Sequence, residues 1–180
     1  YIGRHQSRIQ TEYREVLEQT DSAEIESIRE SAVAYNKTIT PGAAEEAYSQ
    51  ASIRLAAEDY VNQLNVSGSG IMGYVEIPKI GVDLPIYHGT GADSLDRGTG
   101  HLLGSSLPVG GESTHTIITG HSGMASQKMF TDLEQLREGD IFYLHVLDET
   151  LTYEVREIHT VLPHDTTYLG IEPGEDLCTL

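Results

Sequence analysis

The residues that decide the fold are His115-Thr116-Ile117-Ile118-Thr119-Gly120-His121-Ser122-Gly123. The β-branched run at 116–119 is typical of a buried strand. Two glycines flank His121, and glycine permits both a sharp turn and a close approach of other atoms to the backbone. The stretch therefore predicts a strand that presents His121 at the rim of a sheet. Its local pattern leaves two interpretations of this histidine, a functional group and a turn residue without a role.

Strand patterns continue on both sides of this stretch, between residues 66 and 180. Runs with strand character, separated by turn signals, lie at residues 73–78, 85–88, 116–119, 140–146, 150–162 and 177–180. The run at 140–146 and the one after it are expected to form a hairpin through residues 147–149, and residues 129–136 a short helix. A chain of short strands joined by turns predicts a closed or nearly closed β-barrel.

Residues 1–65 carry helical patterns instead. Apolar residues recur on one face of a helix at Ile9, Tyr13, Val16 and Leu17. A second helix is predicted after an N-cap within residues 20–22, and a third over residues 43–64. A polar joint at residues 65–70 separates the two patterns. We therefore expect a helical extension over residues 1–65 that packs against a β-barrel over residues 66–180.

The composition argues against several classes of partner and structure. The net charge of −17 and the pI near 4.6 disfavour nucleic acids and anionic membrane surfaces, because both repel an acidic protein. The sequence contains no apolar run of about 18 residues, so no transmembrane helix is predicted. Cys178 is the single cysteine, which rules out a disulfide within the chain.

Other kinds of active site fit the sequence less well. No pair of histidines has a metal-ligand spacing such as His-Glu-x-x-His, and Cys178 has no second ligand at a suitable spacing. Residues 104–108 lack the second glycine of a serine-hydrolase elbow, because Pro108 stands in its place. Gly68 and Gly70 are not followed by the Lys-Ser/Thr pair of a phosphate-binding loop. We interpret the lone cysteine as a small buried apolar residue.

From Gly70 onward the sequence resembles the sortases, and among them the class C enzymes that polymerise pilins. The resemblance rests on blocks that follow the family's order, at residues 71–80, 84–90, 98–102, 105–111, 115–123, 129–133 and 139–140. Each block is short, and the specificity comes from the ordered set. The helical residues 1–65 also resemble the N-terminal extension of class C members.

The resemblance implies a mainly β fold, an eight-stranded sortase barrel with short helices, whose last strand lies beyond this sequence. The family's catalytic groups are a His, a Cys and an Arg, and the His falls on His121. Thr179 and Leu180 match the first two positions of the family's Thr-Leu-x-Thr-Cys motif. The nucleophile is then expected three residues beyond Leu180, and the Arg further along. Cys178 stands where the family has an interior strand residue, so we do not expect it to be the nucleophile.

The implied activity is that of a cysteine transpeptidase in pilus assembly. Such an enzyme cleaves LPxTG-type sorting signals between Thr and Gly and joins the acyl group to a pilin Lys or a cell-wall amine. The resemblance implies no cofactor and no metal. It places the enzyme on the outer face of a Gram-positive cell membrane, with the membrane anchors expected outside this sequence. Two other interpretations stay open, a binding or assembly module without a nucleophile and a fragment completed by another chain.

One stretch departs from the class C pattern. Many members carry an Asp-Pro-aromatic motif in the extension, and that motif plugs the active site. The corresponding residues 38–44 contain Pro41, but no Asp precedes it and no aromatic residue follows before Tyr48. The sequence therefore leaves open whether this segment covers the active site.

Overall fold

The computed structural model describes residues 2–49, 58–123 and 127–180. These residues contain seven strands, β1 Ile71–Ile77, β2 Val82–His88, β3 Thr99–His101, β4 Thr114–Gly120, β5 Ile141–Val146, β6 Glu149–Glu154 and β7 Asp176–Thr179. The helices are α1 Ile2–Gln19, α2 Ser22–Asn36, α3 Ala43–Ser49, α4 Glu58–Asn62 and α5 Ala92–Leu95. Two 3-10 turns lie at Pro78–Ile80 and Leu133–Gln135.

All seven strands belong to one sheet, in the order β6-β5-β1-β2-β3-β4-β7. The pairs β2–β3 and β4–β7 are parallel, and the others are antiparallel. The two outer strands come close together, because the Tyr153 hydroxyl on β6 donates a hydrogen bond of 2.7 Å to the Asp176 carboxylate on β7. The prediction of a mainly β, nearly closed barrel is confirmed.

Two local predictions are wrong. The strand expected over residues 150–162 ends at Glu154. Its partner strand leaves the ladder at Gly139, whose φ of +88° turns the chain away, so later residues have nothing to pair with. The helix expected over residues 129–136 is only the 3-10 turn, because Met129 has a positive φ of 39° and Leu136 is already extended. The three-residue strand β3 lies outside the runs for which bounds were predicted.

The first two predicted helices are confirmed. Asp21 caps α2, since its carboxylate accepts a 2.9 Å hydrogen bond from the Ala23 N–H. The third predicted helix, over residues 43–64, corresponds to α3 and α4, and residues 50–57 lie outside the described part of the chain. No helix in the described ranges has both the length and the apolar character needed to cross a bilayer.

The helical extension packs directly onto the sheet. Tyr13 of α1 is 1% exposed. Its hydroxyl donates to the Met72 carbonyl at 3.2 Å and accepts from the Leu147 N–H at 3.0 Å. Arg29 of α2 forms ion pairs with Asp148 and Glu149 at the β5–β6 turn. These contacts join both helices to the barrel through buried or shielded polar groups.

Candidate active site

His121 follows directly after the last residue of β4, at the rim of the sheet. Gly120 leaves space for the ring of Phe130, because a Cβ at this position would lie 2.8 Å from that ring. Gly123 has a φ of +72°, and its N–H donates to the Thr131 hydroxyl at 3.0 Å. The first glycine thus accommodates a protein side chain, where the sequence suggested an approaching ligand, and the second permits the turn.

Side-chain alternation along β4 defines the face on which His121 lies. Ile118 points into the main core, whereas Ile117 packs on the opposite, outer face. Because alternate residues of a strand share a face, His115, Thr119 and His121 lie on the side of Ile117. We call this side, together with the matching side of β7, the groove face.

The paired strand β7 contributes Thr179 to the groove face. Thr179 pairs with Ile117, and its hydroxyl lies 2.6 Å from Nε2 of His115. The other ring nitrogen of His115, Nδ1, lies 2.7 Å from the Gly170 carbonyl oxygen. His115 therefore ties β4 both to β7 and to the segment that precedes β7, a role that the sequence did not reveal.

Cys178 lies on the opposite side of β7. Its side chain packs against the main core, as does that of Leu180. Burial raises the pKa of the Cys178 thiol, and the nearby Asp176 carboxylate raises this pKa further. A thiol in such surroundings stays protonated at neutral pH and is a poor nucleophile. The geometry is that of a structural cysteine turned away from His121.

The imidazole of His121 has a carboxylate beside it. Its Nε2 lies 3.5 Å from Oδ1 of Asp96, a residue that follows α5. The imidazole side chain is 38% exposed, so it is open to a reactant from solvent. Nothing in the sequence pointed to Asp96, because it is 25 residues from His121 and belongs to no recognisable motif.

Helix α3 lies over the groove face. Its Ala44 and Ala47 are buried against Leu102 and Ile117. The contact is close, since a Cβ on Gly104 would lie 2.6 Å from the Ala43 carbonyl oxygen. A cavity of about 710 Å³ is lined by residues from the segments 33–45, 104–105, 110–115 and 169–173. The stretch without the Asp-Pro-aromatic motif thus still leads into a helix on this face.

A serine–histidine contact lies elsewhere in the barrel. The Ser105 hydroxyl is 3.0 Å from Nε2 of His101, as in a hydrolase dyad. Both residues are buried, at 2% and 0% exposure, and the Ser105 hydroxyl donates to the Leu102 carbonyl. Burial lowers the pKa of His101 to about 4. With no access from solvent, this pair is structural.

No group of three His, Cys, Asp or Glu side chains converges into a metal-binding cluster within residues 2–49, 58–123 and 127–180. His88 contacts two backbone carbonyls, Gly70 O at 2.8 Å and Gln63 O at 2.6 Å. His145 pairs with Glu76 on the surface of β5, and His159 pairs with Glu157. These histidines lie apart from the groove face.

Comparison with known sequences gives one consistent family. The sequence profile of the sortase domain matches residues 75–180. Sortase D of Bacillus subtilis is 33% identical over 100 residues, 56% of this chain and 48% of that protein. Sortase A of Streptococcus agalactiae is 28% identical over 113 residues, 61% of this chain and 45% of that protein. The chain spans about half the length of the curated relatives it matches.

Solved structures agree with the sequence matches over more of the chain. Sortase C from Streptococcus pneumoniae is 41% identical with a TM-score of 0.85, covering 96% of this chain and 89% of that one. Sortase C1 from Streptococcus agalactiae is 37% identical with a TM-score of 0.81, covering 96% and 90%. A further match is described as the pilus-related sortase C of group B Streptococcus, with 34% identity, a TM-score of 0.82 and coverage of 94% and 88%. Since the matched profile covers more than half of its residues, this chain belongs to the sortase family, with the fold of the class C members.

Proposed function

We propose that this chain is the catalytic part of a cysteine transpeptidase that cleaves LPxTG-type sorting signals between Thr and Gly. His121 is the proposed proton donor, and the acyl group passes to a pilin Lys or a cell-wall amine. The reaction takes place on the outer surface of a Gram-positive cell. The observation that carries it is the register between β4 and β7.

The register points to a position beside His121. Ile117 pairs with Thr179 in the parallel ladder of β4 and β7. His121 lies four residues beyond Ile117, and the third position beyond Leu180 lies four residues beyond Thr179. If the ladder continues, these two positions face each other on neighbouring strands, about 4.8 Å apart along the hydrogen-bond direction. That position is where the sortase motif requires its cysteine.

A cysteine at that position would share the groove face with His121. Paired residues in a ladder point to the same side of the sheet, and Thr179 already lies on that side. Cys178 lies on the other side, in the core. The arrangement therefore favours a nucleophile outside the described residues over the one cysteine within them.

The proposed reaction has two halves. The cysteine thiolate attacks the Thr carbonyl carbon, the Thr–Gly C–N bond breaks, and the His121 imidazolium donates its proton to the departing Gly amine. The acceptor amine then attacks the thioester carbonyl and gives a proton back to His121. The new amide bond forms as the C–S bond breaks, which regenerates the thiolate. A cationic neighbour is needed throughout, because a thiol is mostly protonated at neutral pH.

The test is the His121→Ala variant of the full-length protein, assayed for cleavage of an LPxTG peptide. We expect a loss of at least about 100-fold in kcat, because a positioned general acid contributes at least this factor. His145→Gln is the control, since this histidine lies on β5 away from the groove face. Cleavage retained in His121→Ala would contradict the proposed role.

A second outcome separates the enzyme from a binding module. Peptide binding without cleavage in the unchanged full-length protein would show a sortase-like domain that docks sorting signals but does not process them.

A further inference from the structure

We propose that Asp96 is a positioning residue for His121, an inference that rests on the proposed function. Oδ1 of Asp96 lies 3.5 Å from Nε2 of the imidazole. A carboxylate at this distance attracts the imidazolium and restrains rotation of the ring. Nδ1 of His121 has no hydrogen-bond partner among the described residues, so it is the nitrogen left for the reacting groups.

The backbone at Asp96 is held in place by its own helix. The Asp96 N–H donates a 2.9 Å hydrogen bond to the carbonyl of Ala92, the first residue of α5. Ser94, on the buried side of this helix, donates its hydroxyl proton to the His88 carbonyl at 3.1 Å. The turn of α5 is therefore fixed to β2, although the Asp96 side chain itself is 65% exposed.

The next residue extends this support to the first helix. The Arg97 guanidinium lies 4.3 Å from the centre of the buried Tyr87 ring, and its Nε donates to the Asp93 carbonyl at 2.7 Å. The Gln6 amide of α1 donates to the Arg97 carbonyl at 3.3 Å. Hydrogen bonds thus hold Ser94 before Asp96 and Arg97 after it, and the bond to Arg97 comes from α1.

The effect of the Asp96 carboxylate on kcat is expected to be small. Ion pairs between partly exposed side chains are weak, and one that acts in the transition state changes a rate by a factor of about 1.4 to 5. We therefore expect Asp96→Asn to lower kcat by at most about fivefold. KM should stay unchanged, because the carboxylate contacts the histidine rather than the substrate.

The kinetic test uses three variants of the full-length protein with the same LPxTG peptide. Asp96→Asn removes the charge and keeps the shape, and Asp96→Glu restores the charge and should recover at least half of the lost kcat. Asp93→Asn is the matched control, because it removes the same charge from the same short helix without a contact to His121. An unchanged kcat in Asp96→Asn, or an equal fall in Asp93→Asn, would overturn the inference.

A spectroscopic test works without catalysis. Long-range proton–nitrogen NMR correlations report the ring nitrogens of all eight histidines. Asp96→Asn should shift the Nε2 signal of His121 and leave that of His145 in place, and an unshifted His121 signal would refute the contact.

The two proposals can fail separately. Full cleavage in His121→Ala would defeat the proposed function, and this inference with it. Loss of cleavage in His121→Ala together with an unchanged Asp96→Asn would defeat only the role of Asp96.

Discussion

The face of the sheet on which a side chain lies determines whether it can act together with His121. His121 and Cys178 are 57 residues apart in the sequence, but His121 lies directly after β4 and Cys178 lies in its neighbour β7. Alternation separates them, because His121 belongs to the groove face and Cys178 to the core face. Two residues on paired strands can therefore form a catalytic pair only if their side chains point to the same face of the sheet.

Cys178 gives the first prediction. Cys178→Ala should retain cleavage of an LPxTG peptide in the full-length protein, with kcat/KM within about twofold, because the thiol faces the core and takes no part in the reaction. Unfolding by urea should show a loss of about 1 kcal/mol from the smaller core side chain. An inactive variant that is still folded by circular dichroism would make Cys178 the nucleophile and refute our assignment.

His101 gives a prediction of pH dependence. Burial holds the pKa of His101 at about 4 in the folded protein, against about 6.5 when unfolded. The unfolded chain therefore binds the proton first, and stability falls as the pH drops from about 6.5 to about 4. Urea unfolding at several pH values should show this fall in the wild type and a weaker one in His101→Gln. Equal pH slopes in the two proteins would contradict the assignment.

Among the elements, helix α3 lies over the groove face, the side of the sheet that carries His121. Its small side chains, Ala44 and Ala47, permit close packing on Leu102 and Ile117. The Asp-Pro-aromatic motif is absent, yet a helix still lies on the groove face. We propose that this helix restricts access until it moves.

Ala47→Glu tests this proposal in the full-length protein. A charge at the buried contact should displace α3 and raise kcat/KM for an LPxTG peptide by about threefold or more, because a buried unpaired charge is costly. Ser49→Glu is the control, since it adds the same charge at an exposed position of the same helix. A variant that is folded but no faster than wild type would show that α3 does not limit access.

Some of the fold and site could be predicted, and the failures have physical causes. The β-branched run before Gly120 identified β4 and the place of His121, because both signals are local. Apolar residues such as Ile158 and Val161 favoured a strand that continues to residue 162. A strand also needs a neighbouring strand to pair with, and the local sequence carries no signal for this pairing. Asp96 was missed because a contact between a helix end and a strand end leaves no local pattern.

At the scale of the whole molecule, the helical extension is part of the folded core. We predicted two parts, residues 1–65 and 66–180, and this division stays a prediction. Tyr13 of α1 is buried against the barrel and bonds two backbone groups there. Its pKa is raised to about 12, chiefly by burial. The packing argues that the helices and the barrel unfold together.

Tyr13→Phe tests this cooperativity. The change leaves the Leu147 N–H and the Met72 carbonyl without their partner, which should lower the free energy of unfolding by about 1–3 kcal/mol. Tyr168→Phe is the control at an exposed tyrosine. Near-ultraviolet and far-ultraviolet circular dichroism should give one coincident urea transition, shifted in Tyr13→Phe. Two separate transitions would show that the extension folds independently.

The proposed reaction requires a nucleophile opposite His121 across β4 and β7. The most direct measurement is mass spectrometry of the full-length protein, denatured during turnover of an LPxTG peptide and digested to locate the thioester. We expect the acyl group on a cysteine three residues beyond Leu180. An acyl group on Cys178, or cleavage with no thioester on any cysteine, would contradict it.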